Sequence, residues 1–217
     1  MTPQEMVDSF GLNYASEINL SVPGWESSEI LSFLNKSQEK LVRELYLSTG
    51  DRWLRELVKV VNMTTIIAYG PGIGITNAKI VDLSENGVTD FLYYLNSRTK
   101  LSRTNPTLVS EWVDNRVIEQ SNAGRFATNS MNVVWFKEPA VFWEYTDKLI
   151  VLYDWYTSAI NAVSLKYIKQ FADIALTPVQ ASELNADLHQ KIVDGAVLLA
   201  LETLQSTRVQ TQPIVNR

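Results

Sequence analysis

The chain has 217 residues, enough to bury a sizeable core as one domain or a compact pair, and its 46% hydrophobic and 20% charged residues exclude wholesale disorder. Against 19 basic side chains stand 24 acidic ones, a formal net charge of −5 with no Lys/Arg run, which argues against tight wrapping of nucleic acid. The lack of cysteine excludes disulfides and thiolate metal sites, and a single histidine, His189, excludes a histidine cluster.

The first residues, "MTPQEMVDSF", have neither a basic leader nor a long apolar run, so no signal peptide is expected. No apolar stretch approaches the roughly 20 residues of a membrane span. A soluble protein, folded where it is made, is the expectation. "TPQEM" instead carries helix-start chemistry, with Thr2 as N-cap, Pro3 in the first turn and Glu5 three residues after the cap. Gly11 is expected to end that helix. Asn13 to Gly24 shows no sustained period and reads as an ordered arm or loop.

A second helix, capped by Ser27 or Ser28, is expected to run to about Leu47. Ile30, Leu34, Leu41 and Leu45 form its apolar stripe, with Ser37 and Gln38 falling inside it. Leu31, Val42 and Tyr46 make a second, weaker edge. "DRWLRELVKVV" reads as another short helix through Trp53, Leu54, Leu57 and Val58, ahead of a β-rich "MTTIIAY".

From there to about Phe171 the period becomes two. "AKIVDL", "DFLYYLNSRT" and "TLVSEWV" are strands broken by "SENG" and "RTNP". Asp114 is expected to cap a short helix, Asn115 to Ser121, ending at Ala123-Gly124. A meander follows, with "NVVWF", "VFWEYT", "LIVLYDWY" and "AINAVSLKYIKQF" joined by the short turns "KEPA" and "DK", which implies antiparallel pairing. Leu149, Val151 and Tyr153 alternate with Ile150 and Leu152, so the sheet is covered on both faces. One cover is the β core; the second falls to the helices or to a neighbouring subunit.

The expected fold is α+β: N-terminal and C-terminal helices packing together, with an inserted, mainly antiparallel β domain. Its parts are a helical region with an N-terminal arm over 1–61, the β domain over 62–171, a C-terminal helical region over 172–205 that completes the helical domain, and an extended tail over 206–217.

Catalytic patterns are weak throughout. "YGPGIGIT", Tyr69 to Thr76, lacks the closing Gly-Lys-Ser/Thr of a phosphate loop and the third glycine of a dinucleotide fingerprint, so it reads as a hairpin tip. His189 has Asp187 nearby but no nucleophile in a catalytic setting, and reads as a capping or interface residue. Asp82 and Glu85 have no spacing that specifies a glycosidase pair or metal site. No enzyme activity and no cofactor or metal are expected. Trp135, Phe136, Phe142, Trp143, Tyr145, Tyr153, Trp155 and Tyr156 suggest a stacking platform, but residues 132–160 hold only Lys137 and Lys148 to meet phosphates.

The last helical segment, "LHQKIVDGAVLLALETLQ", has Leu188, Ile192, Ala196, Leu199 and Thr203 on one stripe and Val193, Val197, Ala200 and Leu204 beside it. Leu198 and Leu201 fall among polar residues and are one candidate subunit interface, with the outer sheet or the Leu31, Val42 and Tyr46 edge as the other.

That segment also carries a resemblance. "LNADLHQKIVDGAVLLALETLQ", Leu184 to Gln205, is similar to the closing helix of neck and tail ring proteins of tailed phages, particularly crAss-like phages, which follows a β domain ending in a "Y-I-(K/R)" strand, here "LKYIKQF". "EILSFLNKSQEKLVRELY", Glu29 to Tyr46, resembles the "FL-x-KAQE-x-LV" helix of the same group, whose order of parts also fits the head-to-tail adaptor (connector) rings of short-tailed phages. Gly195 departs from the pattern, which has Arg there.

The resemblance implies a virion protein of the phage neck or tail, assembled in the bacterial host cytoplasm. It implies a homo-oligomeric ring, commonly a dodecamer, that joins the portal to adjacent tail rings. The ring surrounds the channel through which DNA passes at ejection, without sequence-specific binding. By the same resemblance Val209, Pro213, Ile214 and Val215 belong to an arm that orders against an adjacent ring. The alternative is an aromatic-sheet carbohydrate- or protein-binding module of a tail part.

Overall fold

The expected helix start at Thr2 forms as a reciprocal capping box in the computed structural model of the chain. The Thr2 N–H donates to Glu5 Oε2 at 2.7 Å, and the Glu5 N–H donates to Thr2 Oγ1 at 3.2 Å. The structure describes residues 1–17, 24–49, 52–69, 78–103, 109–124, 138–145, 147–153 and 157–211. The helix so capped, α1, spans Pro3–Glu17 and passes straight through Gly11, where it was expected to stop. Phe10 and Tyr14 on either side of that glycine are buried and stacked, ring centroids 5.7 Å apart. Their burial outweighs the roughly 1 kcal/mol that a mid-helix glycine costs.

Helix α2 spans Ser27–Thr49. Its cap is Glu26, one residue before the expected serines. The Glu26 carbonyl accepts from the Ile30 N–H at 3.0 Å, and Glu29 reaches back to the Glu26 N–H at 2.9 Å. The last helix, α3, spans Ala186–Thr211 and is capped by Asn185, whose Oδ1 accepts from the Asp187 N–H at 3.0 Å. It runs six residues past Gln205, so 206–211 are helical and the expected extended tail is corrected there. No Gly or Pro lies between Gln205 and Thr211 to interrupt the helix.

The chain divides into two compact units, Met1–Leu57 with Phe171–Arg217, and Val58–Gln170. In the helical unit α3 packs on both α1 and α2. Its buried face is Leu188, Ile192, Val193, Ala196, Val197 and Ala200, as the helical period of the sequence implies. A two-residue hairpin, β10 (Ala175–Leu176) with β11 (Val179–Gln180), precedes it and turns at a cis Thr177-Pro178 bond.

The polar residues inside the α2 stripe have specific partners. Asn35 clamps the backbone of Ile174, donating to its carbonyl at 3.2 Å and accepting from its N–H at 2.7 Å. Gln38 donates to the Ala172 carbonyl at 3.2 Å, and Ser37 donates to the Ile192 carbonyl at 2.7 Å. These bonds tie the returning chain and α3 to α2.

"DRWLRELVKVV" is not the helix its composition suggested. A 3-10 turn at Arg55–Leu57 buries Leu57, and strand β1 begins at once, Val58–Met63. Three β-branched valines in four positions favour the strand, and the boundary of the helical unit moves back to Leu57.

The inserted unit holds two sheets. The first has the order β1-β9-β4-β5, with β4 Phe91–Arg103, β5 Val109–Asp114 and β9 Thr157–Lys169, antiparallel throughout. The second has the order β2-β3-β8-β7-β6, with β2 Ile67–Ala68, β3 Ala78–Asp82, β6 Arg116–Val117, β7 Ala140–Glu144 and β8 Lys148–Leu152. Among the described strands only β6 runs parallel to its neighbour. Strand β6 and a 3-10 turn at Gln120–Asn122 replace the helix expected over Asn115 to Ser121.

The sheets meet face to face through Val81, Val141, Leu149 and Val151 on one side and Val163, Leu165 and Tyr167 on the other. The opposite face of the second sheet, with Phe142, Ile150 and Leu152, is also buried. Among the described residues its cover is Ala123, Ile118 and Tyr69 of the same unit.

Candidate functional site

On α3, Leu198 points away from the buried stripe and is 61% exposed. Leu201 lies three residues on and is half-buried. On α2, Leu31 and Tyr46 are half-buried, whereas Val42 is 1% exposed and belongs to the core of the helical unit. Val42 therefore offers nothing to a neighbour, and the candidate interface loses it. Val209 lies in the last turns of α3, while Pro213, Ile214 and Val215 are outside the described residues. Leu12 on α1 and Leu47 on α2 are further exposed apolar side chains that the sequence pattern did not single out.

Gly195 has a steric reason. A Cβ built there would run into Ser37 Oγ, the atom bonded to the Ile192 carbonyl, while Ser37 Cβ would lie at 3.6 Å. The glycine thus permits the close approach of α2 and α3 that Ser37 bridges. Any side chain at this position has to displace the Ser37 hydroxyl.

His189 is buried at the start of α3. Its Nε2 donates to the Leu184 carbonyl at 3.0 Å, and its Nδ1 accepts from the Met1 amino group at 2.9 Å. Both ring nitrogens hold structure together, one binding the chain just ahead of α3 and the other the Met1 amino group, while the cap itself is Asn185. Asp82 accepts from the Ser84 N–H at 2.9 Å and the Ser84 hydroxyl at 2.6 Å, building the turn into Gly87, where φ is 74°. The Ser84 hydroxyl holds the Asp82 carboxyl below its ordinary range. The Gly70–Gly74 loop lies outside the described residues, but the strands before and after it, β2 and β3, pair antiparallel as a hairpin.

In the β unit, alternation along β7 divides the expected aromatic platform. Phe142 is buried, facing Ile150 and Leu152, while Trp143 faces the other way. Trp135, Phe136, Trp155 and Tyr156 lie outside the described residues, and Tyr153 is half-buried. Trp143 joins two aromatics of β4, Phe91 at 5.0 Å and Tyr94 at 5.8 Å between centroids. With Tyr145, Asp147 and Gln170 they line an open groove of about 540 Å³. Tyr145, at the turn into β8, has a φ of 60° and is 77% exposed, a left-handed conformation that costs a side-chain-bearing residue energy. The only sequence signal for the β4 contribution was the "DFLYYL" cluster itself.

A second polar centre escaped sequence reasoning. Asp90 accepts from the Tyr167 hydroxyl at 2.7 Å and is ion-paired with Lys59. Burial acts to raise the Asp90 carboxyl, but the bonds from Lys59 and Tyr167 outweigh it and hold the group below its ordinary range. Burial, then the bond to Asp90, pushes the Tyr167 hydroxyl up. The three residues are separated by 31 and 77 positions, a spacing with no local pattern.

Among the described residues no group of His, Asp or Glu is placed to hold a metal ion, and no helix is long and apolar enough to cross a membrane. Comparison with protein-family models and with curated proteins found no match.

Proposed function

We propose that the protein is a ring subunit of a phage neck or tail, joining portal to tail and surrounding the DNA channel. The observation that carries this reading is where the two resembling segments fall. Glu29 to Tyr46 lies within α2 and Leu184 to Gln205 within or just ahead of α3, and these helices pack on each other although the whole β unit separates them in sequence. The residues that resemble the family pattern, Ile192, Val193, Ala196 and Val197, are buried on the packing face of α3, which supports the reading. Leu198, exposed on the same helix, is available to a neighbouring copy in a head-to-tail ring. The test is whether the chain is a component of purified virions and binds the portal of the same phage. Absence from virions together with no portal binding would end the proposal.

The aromatic groove favours a second reading, a carbohydrate- or protein-binding module. Aromatic rings beside Asp147 and Gln170 suit a neutral, hydroxyl-bearing ligand. A sugar panel that quenches the fluorescence of the protein but not of Trp143→Phe would support it; no quenching by any member would count against it.

A further inference from the structure

The first sheet of the β unit ends in two strands of equal length, β1 and β5, six residues each. Neither has a further strand beside it among the described residues. Edges of this kind are normally protected by proline, bulges, short length or charged side chains, and of these the two strands carry only charges, Lys59 on β1 and Glu111 and Asp114 on β5. These two contain no proline, and both pair with their inner neighbours in unbroken six-residue register. Each also carries an exposed apolar side chain, Val60 on β1 and Trp112 on β5.

Strand direction makes the two edges complementary. All three pairings in the sheet are antiparallel, so β5 runs opposite to β1. When one copy is placed beside another in the same orientation, β5 of the first meets β1 of the second as an antiparallel pair. Laying the strands end to end sets Val58 opposite Asp114, Val60 opposite Trp112, Asn62 opposite Ser110 and Met63 opposite Val109.

The faces agree as well. Val60 is level with Lys166, while Trp112 is level with Lys100 and, through it, Ala162. All lie on the face away from the sandwich core, whereas Val61 and Met63 share the core face with Val113. A slip of one residue would turn every side chain to the wrong face. The end-to-end register keeps each on its own side and brings the two exposed apolar residues together.

That register also displaces each copy by about four residues along the strands for every four strands crossed. This is roughly 14 Å along for about 19 Å across, a strand inclination of about 35°, within the range of closed barrels. We infer that copies of this chain join head to tail by pairing β5 of one with β1 of the next. The inference rests on the ring reading for its head-to-tail sense.

The chain has no cysteine, so introduced ones report alone. Val60→Cys and Trp112→Cys are purified separately, shown to fold by circular dichroism, then oxidised alone and mixed. A second pair, Asn62→Cys with Ser110→Cys, replaces two exposed polar residues and covers a failure of the tryptophan variant to fold. Within one chain β1 and β5 are three strand spacings apart, about 14 Å, too far for a disulfide. The expected result is a disulfide-linked dimer in each mixture and none from any variant alone, with the double variant Val60→Cys/Trp112→Cys giving a ladder. Dimers from single variants would mean like edges pair, and would overturn the head-to-tail inference. Rings or oligomers without cross-linking would overturn the edge pairing but leave the ring reading standing. A chain that neither cross-links nor oligomerises, even with portal present, would end both.

Discussion

At the scale of single residues, Gly195 and Ser37 act as a pair across α2 and α3. Gly195→Ala gains about 1 kcal/mol of helix propensity. It also displaces Ser37 Oγ from the Ile192 carbonyl. The expected net effect is a loss of about 1 kcal/mol, the hydrogen bond and the strain together exceeding the gain. Ser37→Ala/Gly195→Ala leaves an ordinary contact and is expected to be more stable than Gly195→Ala alone, a coupling of about 1–2 kcal/mol in a urea double-mutant cycle. Stabilisation by Gly195→Ala alone would show that the approach is not limiting. Asp90 gives a pH signature. Its folded pKa lies below the unfolded value of about 3.9, so its contribution is present above that pH and lost as pH falls through the folded value. Tyr167 is raised, so its contribution is full below about pH 10 and lost as pH rises through its folded value. Asp90→Asn is expected to flatten the acid limb of urea midpoint against pH; an unchanged limb would assign acid sensitivity elsewhere.

At the scale of elements, the leucines and valine of the candidate interface separate into two kinds. Leu198→Asp is expected to change monomer stability by less than about 0.5 kcal/mol, since the side chain is largely exposed, and to weaken assembly. Val42→Ala is expected to cost the monomer about 2 kcal/mol through a core cavity. Thermal unfolding of the two variants beside their sedimentation distinguishes them; a monomer unfolded by Leu198→Asp would place that leucine in the core. Much of α1, α2 and α3 was legible because periodicity and capping residues are local. The errors have a common source. Gly11 was overruled by Phe10 and Tyr14, which pack on Phe33 and Trp25, Val58 to Val61 became a strand by pairing with β9, and Arg116–Val117 became one by pairing with β7. Each depends on a partner distant in sequence, which a local reading weights too little. The aromatic groove joins β4 to β7 across some fifty residues, and the Asp90 centre joins three separate strands or their ends, for the same reason.

At the scale of the whole molecule, the order helix, sheet sandwich, helix is an α+β architecture with the β unit inserted into the helical one. The proposed ring has two kinds of surface to draw on, the helix face around Leu198 and the two edges of the first sheet, which have no further strand beside them among the described residues. A head-to-tail ring needs two different faces on each copy. The ring is therefore the central claim, and the size of the assembly tests it most directly. Light scattering with negative-stain imaging of the purified chain, alone and mixed with the portal of the same phage, is expected to show closed rings of one copy number, forming on the portal if not in free solution. A species that remains monomeric in both samples at every concentration would contradict it.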